Sequence, residues 1–275
     1  MSSGAAPGAG AMLHRAVVAG ILVAVVLPFL PIGLWSVSQQ WFFPSLVPPE
    51  LSLRGWAYLV SPVSRVMPAL INSVVIGTVV TMINIVLGVP AGRVLGTTRL
   101  GARGGLELLI LAPLIVPGIS VIMGIQVVFI RIGLADTRTG VILAHLLPTL
   151  PYMILVMKGV FANYDEQYEQ QARSLGARRV QVFVHVTLPS VLPGIVVGGL
   201  FVFLVSWSQY VLTLMVGGGR VPTLPILLFS FAGSGDNVLT AVLSVVFVLP
   251  AVAVLAASAR YLTGRSAALS GLGTT

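Results

Sequence analysis

Along the chain, apolar runs of about twenty residues alternate with short polar breaks, and this repeat is the main structural signal. The runs extend from Ala16 to about Val37, Met67 to Gly92, Leu106 to Ile130, Thr139 to Phe161, Pro189 to Val216 and Asn237 to Tyr261. Each is long enough to cross roughly 30 Å of hydrocarbon as a helix. The pattern predicts an all-α, polytopic membrane protein with six transmembrane helices. The dyad alternation of a membrane β-barrel is missing. Residues 39–66 read as a polar loop, with Trp41, Trp56 and Tyr58 suited to an interface and Pro44, Pro48 and Pro49 suited to a loop. Gly217-Gly218-Gly219-Arg220 reads as a turn before a short apolar segment around Leu224–Phe231. Pro113, Pro117, Pro148 and Pro151 are expected to kink or break the third and fourth spans. Gly88-x-x-x-Gly92 and Gly194-x-x-x-Gly198 read as sites of close helix packing in lipid.

Composition strengthens this picture. The 275 residues are 57% hydrophobic and 8% charged, with mean hydropathy +1.04. A soluble domain carries about 25% charged residues, so there are too few charges here to cover a water-facing surface. Cysteine is absent, which excludes a disulfide framework and a thiolate metal site. The net charge of +8 is assigned to basic residues flanking membrane spans, not to nucleic acid. Residues 1–12 are rich in Gly, Ala, Ser and Pro and are expected to be disordered. The first apolar run is long for a signal peptide and lacks a clear small-x-small cleavage site, so it reads as an uncleaved span. With the N-terminus inside, the inner segments carry ten of the fifteen Lys and Arg and the outer loops five. That bias predicts both termini in the cytoplasm of a multi-pass cell-membrane protein.

Several chemistries are missing. No Asp or Glu lies deep in any run; Glu107 begins the third and Lys158 nears the end of the fourth. Carriers driven by protons need an intramembrane ionisable relay, so this counts against them. His14, His145 and His185 are too far apart for metal-ligand spacing, and His145 reads as a buried, hydrogen-bonded histidine. There is no Gly-x-x-x-x-Gly-Lys-Ser/Thr loop and no Gly-x-Ser-x-Gly. The chain is read as no enzyme, with no cofactor and no metal. Neutral polar residues do lie within the runs: Asn72, Ser73, Asn84, Gln126, Ser206, Ser208 and Gln209. Two readings of the densest group, Ser206-Trp207-Ser208-Gln209-Tyr210, stay open. One is hydrogen bonding between helices; the other is a solute pathway, with Asn72 as a further member.

One polar stretch stands apart. Asn163 to Arg179 holds three of the seven acids and three of the fifteen basic residues, and it continues to Val186-Thr187-Leu188-Pro189. Asn163 or Asp165 can cap a short helix, and Gly176 ends it. Tyr168, Ala172 and Leu175 then share a face. Val180 to Val186 fits either strand alternation or a helix. Pro189 suits the first turn of the next helix.

Gly176 and, after nine intervening residues, Val186-Thr187-Leu188-Pro189 have the spacing of a known signature. With Ala172-Arg173-Ser174-Leu175-Gly176-Ala177, they resemble the cytoplasmic loop of permease subunits of binding-protein-dependent ABC importers. Trp41-Phe42-Phe43-Pro44, Asn72-Ser73 and Leu111-Ala112-Pro113-Leu114-Ile115-Val116-Pro117-Gly118 extend the resemblance to residues 16–262. Gln170-Gln171-Ala172 stands where the family has Glu-Ala-Ala, with Glu169 one place earlier. The resemblance implies a type I importer fold with residues 1–15 and 263–275 as tails and 163–188 as the coupling loop. It also implies three kinds of partner: ATP-hydrolysing subunits, a second permease subunit of a different chain, and an extracytoplasmic solute-binding protein. Glu169, Ala172, Arg173, Ser174, Leu175, Gly176, Arg178, Arg179, Leu188 and Pro189 are the expected coupling residues. The wording of the outer loop and third span is most similar to polyamine (spermidine/putrescine) permeases. Sugar, thiamine, iron, phosphonate or an anion are the alternatives. A passive channel or secondary carrier, or a scaffold without transport, are the competing classes.

Overall fold

The computed structural model describes residues 9–42, 44–98 and 103–270. Apart from one isolated antiparallel bridge between Ser38 and Leu51, the regular structure among them is helical. The first eight and last five residues of the expected tails, Phe43 of the outer-loop motif and residues 99–102 lie outside the described residues.

The expected count of six spans is corrected. Four stretches are long and apolar enough to cross a membrane: Met12–Ser36, Val66–Thr97, Arg138–Ala162 and Arg179–Trp207. A bent pair, Gly104–Ile115 with Gly118–Arg131, makes up to five if it is one span. The reasons are local. The run from Leu106 to Ile130 turns by 93° at its break, where Pro117 has ψ 121. Proline disfavours helical geometry at the residue before it and lacks the N–H that would bridge the gap. By contrast, Pro148 and Pro151 lie inside a continuous helix. The run expected to reach Val216 stops at Trp207. The last run falls in a helix whose apolar part, Asn237–Ala253, is short, as is Leu224–Ser234.

Two compact units are present. One comprises residues 1–64 and 228–248. It holds α1 (Ala9–Val26), α2 (Phe29–Ser36) and α3 (Arg54–Val60), the last inside the stretch read as loop. None of the apolar window of Met12–Ser36 is buried, a surface that suits lipid and not water. Trp35 packs on Trp41 at 5.0 Å between ring centroids, and Tyr58 meets Phe231 edge-on at 6.0 Å.

The other unit comprises residues 65–227 and 249–275 and contains the main core. Its elements are α4 (Val66–Thr97), α5 (Arg103–Ile115), α6 (Gly118–Arg131), α7 (Arg138–Ala162), α8 (Gln167–Ser174), α9 (Arg179–Val182), a π turn (Phe183–Thr187), α10 (Leu188–Trp207) and α11 (Val211–Gly217). Helices α12 (Leu224–Ser234) and α13 (Asn237–Ser270) follow. Thr137 starts α7 by accepting the Gly140 N–H at 2.9 Å. Helices α4, α7 and α10 pack around Ile76, Val80, Met153, Met157, Val191 and Val202, all buried.

The contact between α4 and α7 is close because glycine allows it. A Cβ on Gly92 would lie 2.5 Å from the Met157 Cβ and 2.9 Å from the Lys158 backbone nitrogen. Gly88 and Gly96 meet α7 in the same way. Gly198 lets α10 approach Met153. Both glycine pairs read as packing sites therefore do pack helices. At one end of this contact Lys158 forms an ion pair with Glu107 at 2.7 Å, which offsets the charge of both.

Candidate functional site

The polar stretch between α7 and α10 folds as a helix pair. Asp165 accepts the Gln167 N–H at 2.9 Å, while Asn163 donates back to the Gly159 carbonyl at 2.8 Å. The N-cap position of α8 is Glu166, without a side-chain cap bond, so neither expected residue is the cap itself; Asp165, one place earlier, holds the first amide of the helix. At the other end, Ala177 N–H bonds to the Ala172 carbonyl at 3.0 Å and Gly176 N–H to that of Arg173 at 2.9 Å. Gly176 has φ +86, the left-handed geometry that this closure needs. The open choice for Val180 to Val186 resolves to helix. Gln181 accepts the Arg178 N–H at 2.8 Å to start α9, and the π turn carries it into α10 without a break.

The loop has two faces. Outward, Tyr168, Leu175, Val180, Phe183 and Val184 expose apolar side chains, and Leu175 is 89% exposed. Gln167, Gln170, Gln171, Ser174 and Leu175 line an open groove of about 600 Å³. Arg178 and Arg179 are exposed beside it, Ala172 is half-buried, and Pro189 is exposed in the first turn of α10 while Leu188 packs on the core.

Inward, Glu169 is only 4% exposed. Its carboxylate accepts two bonds from one nitrogen of Arg93, near the end of α4, at 2.9 and 3.0 Å. Arg173 donates to it at 3.1 Å and the Thr187 hydroxyl at 2.7 Å. Behind Arg93 lies the Phe161 ring at 5.6 Å, and Phe161 in turn meets Tyr164 edge-on. The ends of α4 and α7, helix α8 and the π turn therefore meet at one carboxylate.

Burial raises the Glu169 pKa, but the Thr187 hydroxyl and the Arg93 guanidinium outweigh it and hold the carboxyl below its ordinary value of 4.5. A depressed folded-state pKa adds stability that is present above the unfolded value and lost as pH falls through the folded one. Amide-exchange protection of residues 167–174, corrected for intrinsic rates, is therefore expected to hold at neutral pH. It should fall as pH drops below 4.5 through the folded value. A Glu169→Gln variant should lack that acid-dependent step.

The candidate pathway residues send their polar groups to separate partners. Asn72 donates to the Pro222 carbonyl at 3.0 Å and accepts from Arg138 at 2.8 Å, while Ser73 accepts the Leu224 N–H at 2.8 Å. These two residues hold the 220–224 turn. Ser206 is buried against His145 Nδ1 at 2.8 Å, and Thr213 meets Nε2 at 2.9 Å. His145 is thus the buried, hydrogen-bonded residue the sequence suggests, tying α7 to α10 and α11. Asn84 continues the network by donating to Thr149 at 2.9 Å. Trp207 is buried and stacks on Phe203. Ser208 is exposed, and Gln209 lines a cavity of about 100 Å³ with Pro113, Gly118 and Pro148. Among the described residues no group of His, Asp and Glu has the arrangement of a metal site.

Sequence reasoning missed Arg93, Thr187 and the Lys158–Glu107 pair. The only signal for Arg93 was a lone cation at the end of an apolar helix, which also fits a residue at the membrane surface.

Known proteins give the same picture. Residues 84–267 match the family described as binding-protein-dependent transport system inner membrane component. The molybdenum transport system permease protein ModB of Mycobacterium tuberculosis is 31% identical over 222 residues, covering 75% of this chain and 83% of that protein. The putrescine transport system permease protein PotI of Escherichia coli is 31% identical over 147 residues, 50% of this chain and 52% of that one. A solved bacterial ABC transporter involved in the import of the acidic polysaccharide alginate superposes with TM-score 0.68, at 19% identity, over 90% of this chain and 95% of that one. The last likeness is one of fold. An all-α, multi-pass chain whose loop presents an apolar outer face, matched over most of its length by transport permeases, is not an enzyme; it belongs to the family of binding-protein-dependent ABC-importer permeases.

Proposed function

We propose that the 163–188 loop couples this permease to an ATP-hydrolysing partner, and that the chain imports an anionic solute. The observation that carries the coupling role is the outward face of the loop. Tyr168, Leu175 and Val180 stand exposed beside the groove lined by Gln170 and Gln171. Apolar side chains so placed fit a hydrophobic groove on a partner. Ala172, Ser174 and Gly176 allow close seating, and Arg178 and Arg179 reach carboxylates or carbonyls on its rim, while Arg173 is turned inward to Glu169. Leu188 and Pro189 pass the movement into α10. Glu169 belongs to the loop but faces inward.

Six of the fifteen basic residues, Arg93, Arg99, Arg103, Arg173, Arg178 and Arg179, fall in this loop and in the 93–103 stretch at the end of α4, a clustering that supports a cytoplasmic loop. The proposed permease domain is 16–262, between tails 1–15 and 263–275. A second permease chain and an extracytoplasmic binding protein complete the proposed assembly.

For the solute, the molybdenum permease of M. tuberculosis favours an anion, since molybdenum(VI) in neutral water is an oxyanion. The likeness to the putrescine permease spans half of the chain. A polycation would also lack a free carboxylate along the spans: Glu107 is paired with Lys158. A neutral sugar is the second reading, favoured by the likeness to the trehalose transport system permease protein SugB of Mycobacterium tuberculosis, 28% identical over 226 residues. Isothermal calorimetry on the extracytoplasmic binding protein that serves this permease decides between them. Molybdate is expected to bind, and trehalose and spermidine are expected to give no heat. Binding of trehalose or of spermidine without molybdate would overturn the anion reading.

A further inference from the structure

We infer that Glu169 is a positioning residue, an internal tie that makes the coupling helix and the adjoining end of α4 move as one body. The inference rests on the loop being the coupling element. Three observations point to it. Glu169 lies on the exposed helix α8, yet its carboxylate is buried and faces away from the outer groove. Three donors from different places converge on it: Arg93 from α4, Arg173 from one turn further along α8, and Thr187 from the π turn. Arg93 is itself backed by the Phe161 ring at the end of α7, so it cannot follow the carboxylate out without leaving that ring.

The physical consequence is a choice of stiffness. A loop joined only through its two chain ends would transmit a push to α7 and α10 alone. The carboxylate adds α4, a helix distant in sequence. A charge this buried, with its donors removed, is left unpaired and is costly, so the tie resists opening during a cycle. Gln170 and Gln171 stay outside it and line the groove. The division of labour is therefore by side of the helix: amides toward the partner, carboxylate toward the spans.

The test uses the full complex in proteoliposomes, with ATP-driven uptake and ATP hydrolysis measured together. Glu169→Gln should leave co-purification with the ATPase subunits unchanged, because the outward face is untouched. Solute imported per ATP should fall about tenfold, within the ordinary range of coupling between sites. The chain has no cysteine, so Arg93→Cys/Glu169→Cys introduces the only thiols of this subunit. Reduced, this variant should behave like Glu169→Gln. Bridged by a short bifunctional thiol reagent, it should regain most of its uptake, because a covalent tie replaces the ionic one. Lost folding would not be restored by bridging. Wild-type coupling in Glu169→Gln overturns the inference. So does bridging that abolishes the remaining uptake, which would mean the tie must open. Loss of co-purification in Glu169→Gln also overturns it, by placing the residue in the docking face. Failure of the underlying coupling reading looks different: Gly176→Glu, which spoils the outward face, would then leave ATP-driven uptake undiminished, and the inference falls with it.

Discussion

A Gly176→Glu variant is expected to insert and fold, yet to lose uptake by about a hundredfold or more. The expectation has two parts. Gly176 has φ +86, and a side chain there costs about 1–2 kcal/mol of local geometry. No atom of the protein lies within 4 Å of a Cβ placed on it, so the new side chain meets open space and not the chain's own core. What it obstructs is whatever seats against α8. Interface positions of this kind cost about 2 kcal/mol or more when spoiled. Gly176→Ala separates the two parts, since it adds the strain and little bulk. Uptake, ATP hydrolysis and co-purification measured on one preparation decide the matter. Undiminished uptake in Gly176→Glu would sink the docking role of the loop.

Gly92→Leu is expected to do the opposite, damaging the fold and sparing the docking face. The atoms nearest a new Cβ are the Met157 Cβ at 2.5 Å and the Lys158 backbone nitrogen at 2.9 Å. Neither is the free end of a flexible side chain, so α4 and α7 must separate. Overpacking a tight core costs about 3 kcal/mol at the upper end of its usual range. Here the displaced helices also hold Arg93 and Phe161 at their ends. A lower thermal midpoint in detergent and reduced membrane yield are the readouts. Gly104→Ala is the matched control, because nothing lies within 4 Å of its Cβ. A Gly92→Leu protein as stable as that control would show that the close approach is dispensable.

The bounds of the short helix in the polar loop were legible because its ends make chemical demands. Gly176 must be left-handed to close α8, and Asp165 holds the first amide of that helix; each demand shows in residue type. The number of spans was not legible, because hydropathy counts apolar length and ignores direction. Residues 106–130 are continuous in hydropathy but turn by 93° between their two halves. The run from Pro189 breaks after Trp207, where Ser208 bonds back to the Val205 carbonyl and Gln209 leaves the helix. The partner of Glu169 was hidden for another reason. Arg93 lies 76 positions away, and local pattern carries no information on which distant cation meets which acid. The same holds for Ser206. Its polarity marked it as special, but only the fold shows that it is turned to His145.

The stretch from Arg179 to Trp207 runs as one rod of 29 residues through the π turn. At 1.5 Å per residue it is a lever about 43 Å long. A tilt of about 10° imposed at the loop end sweeps the far end through about 7 Å, a helix turn and more. That far end is where Ser206 grips His145 and where the chain breaks before α11. On the proposed coupling role of the loop, a small tilt there is thus geared up at the opposite end, and the hydrogen-bonded histidine sits where the arm delivers its greatest travel.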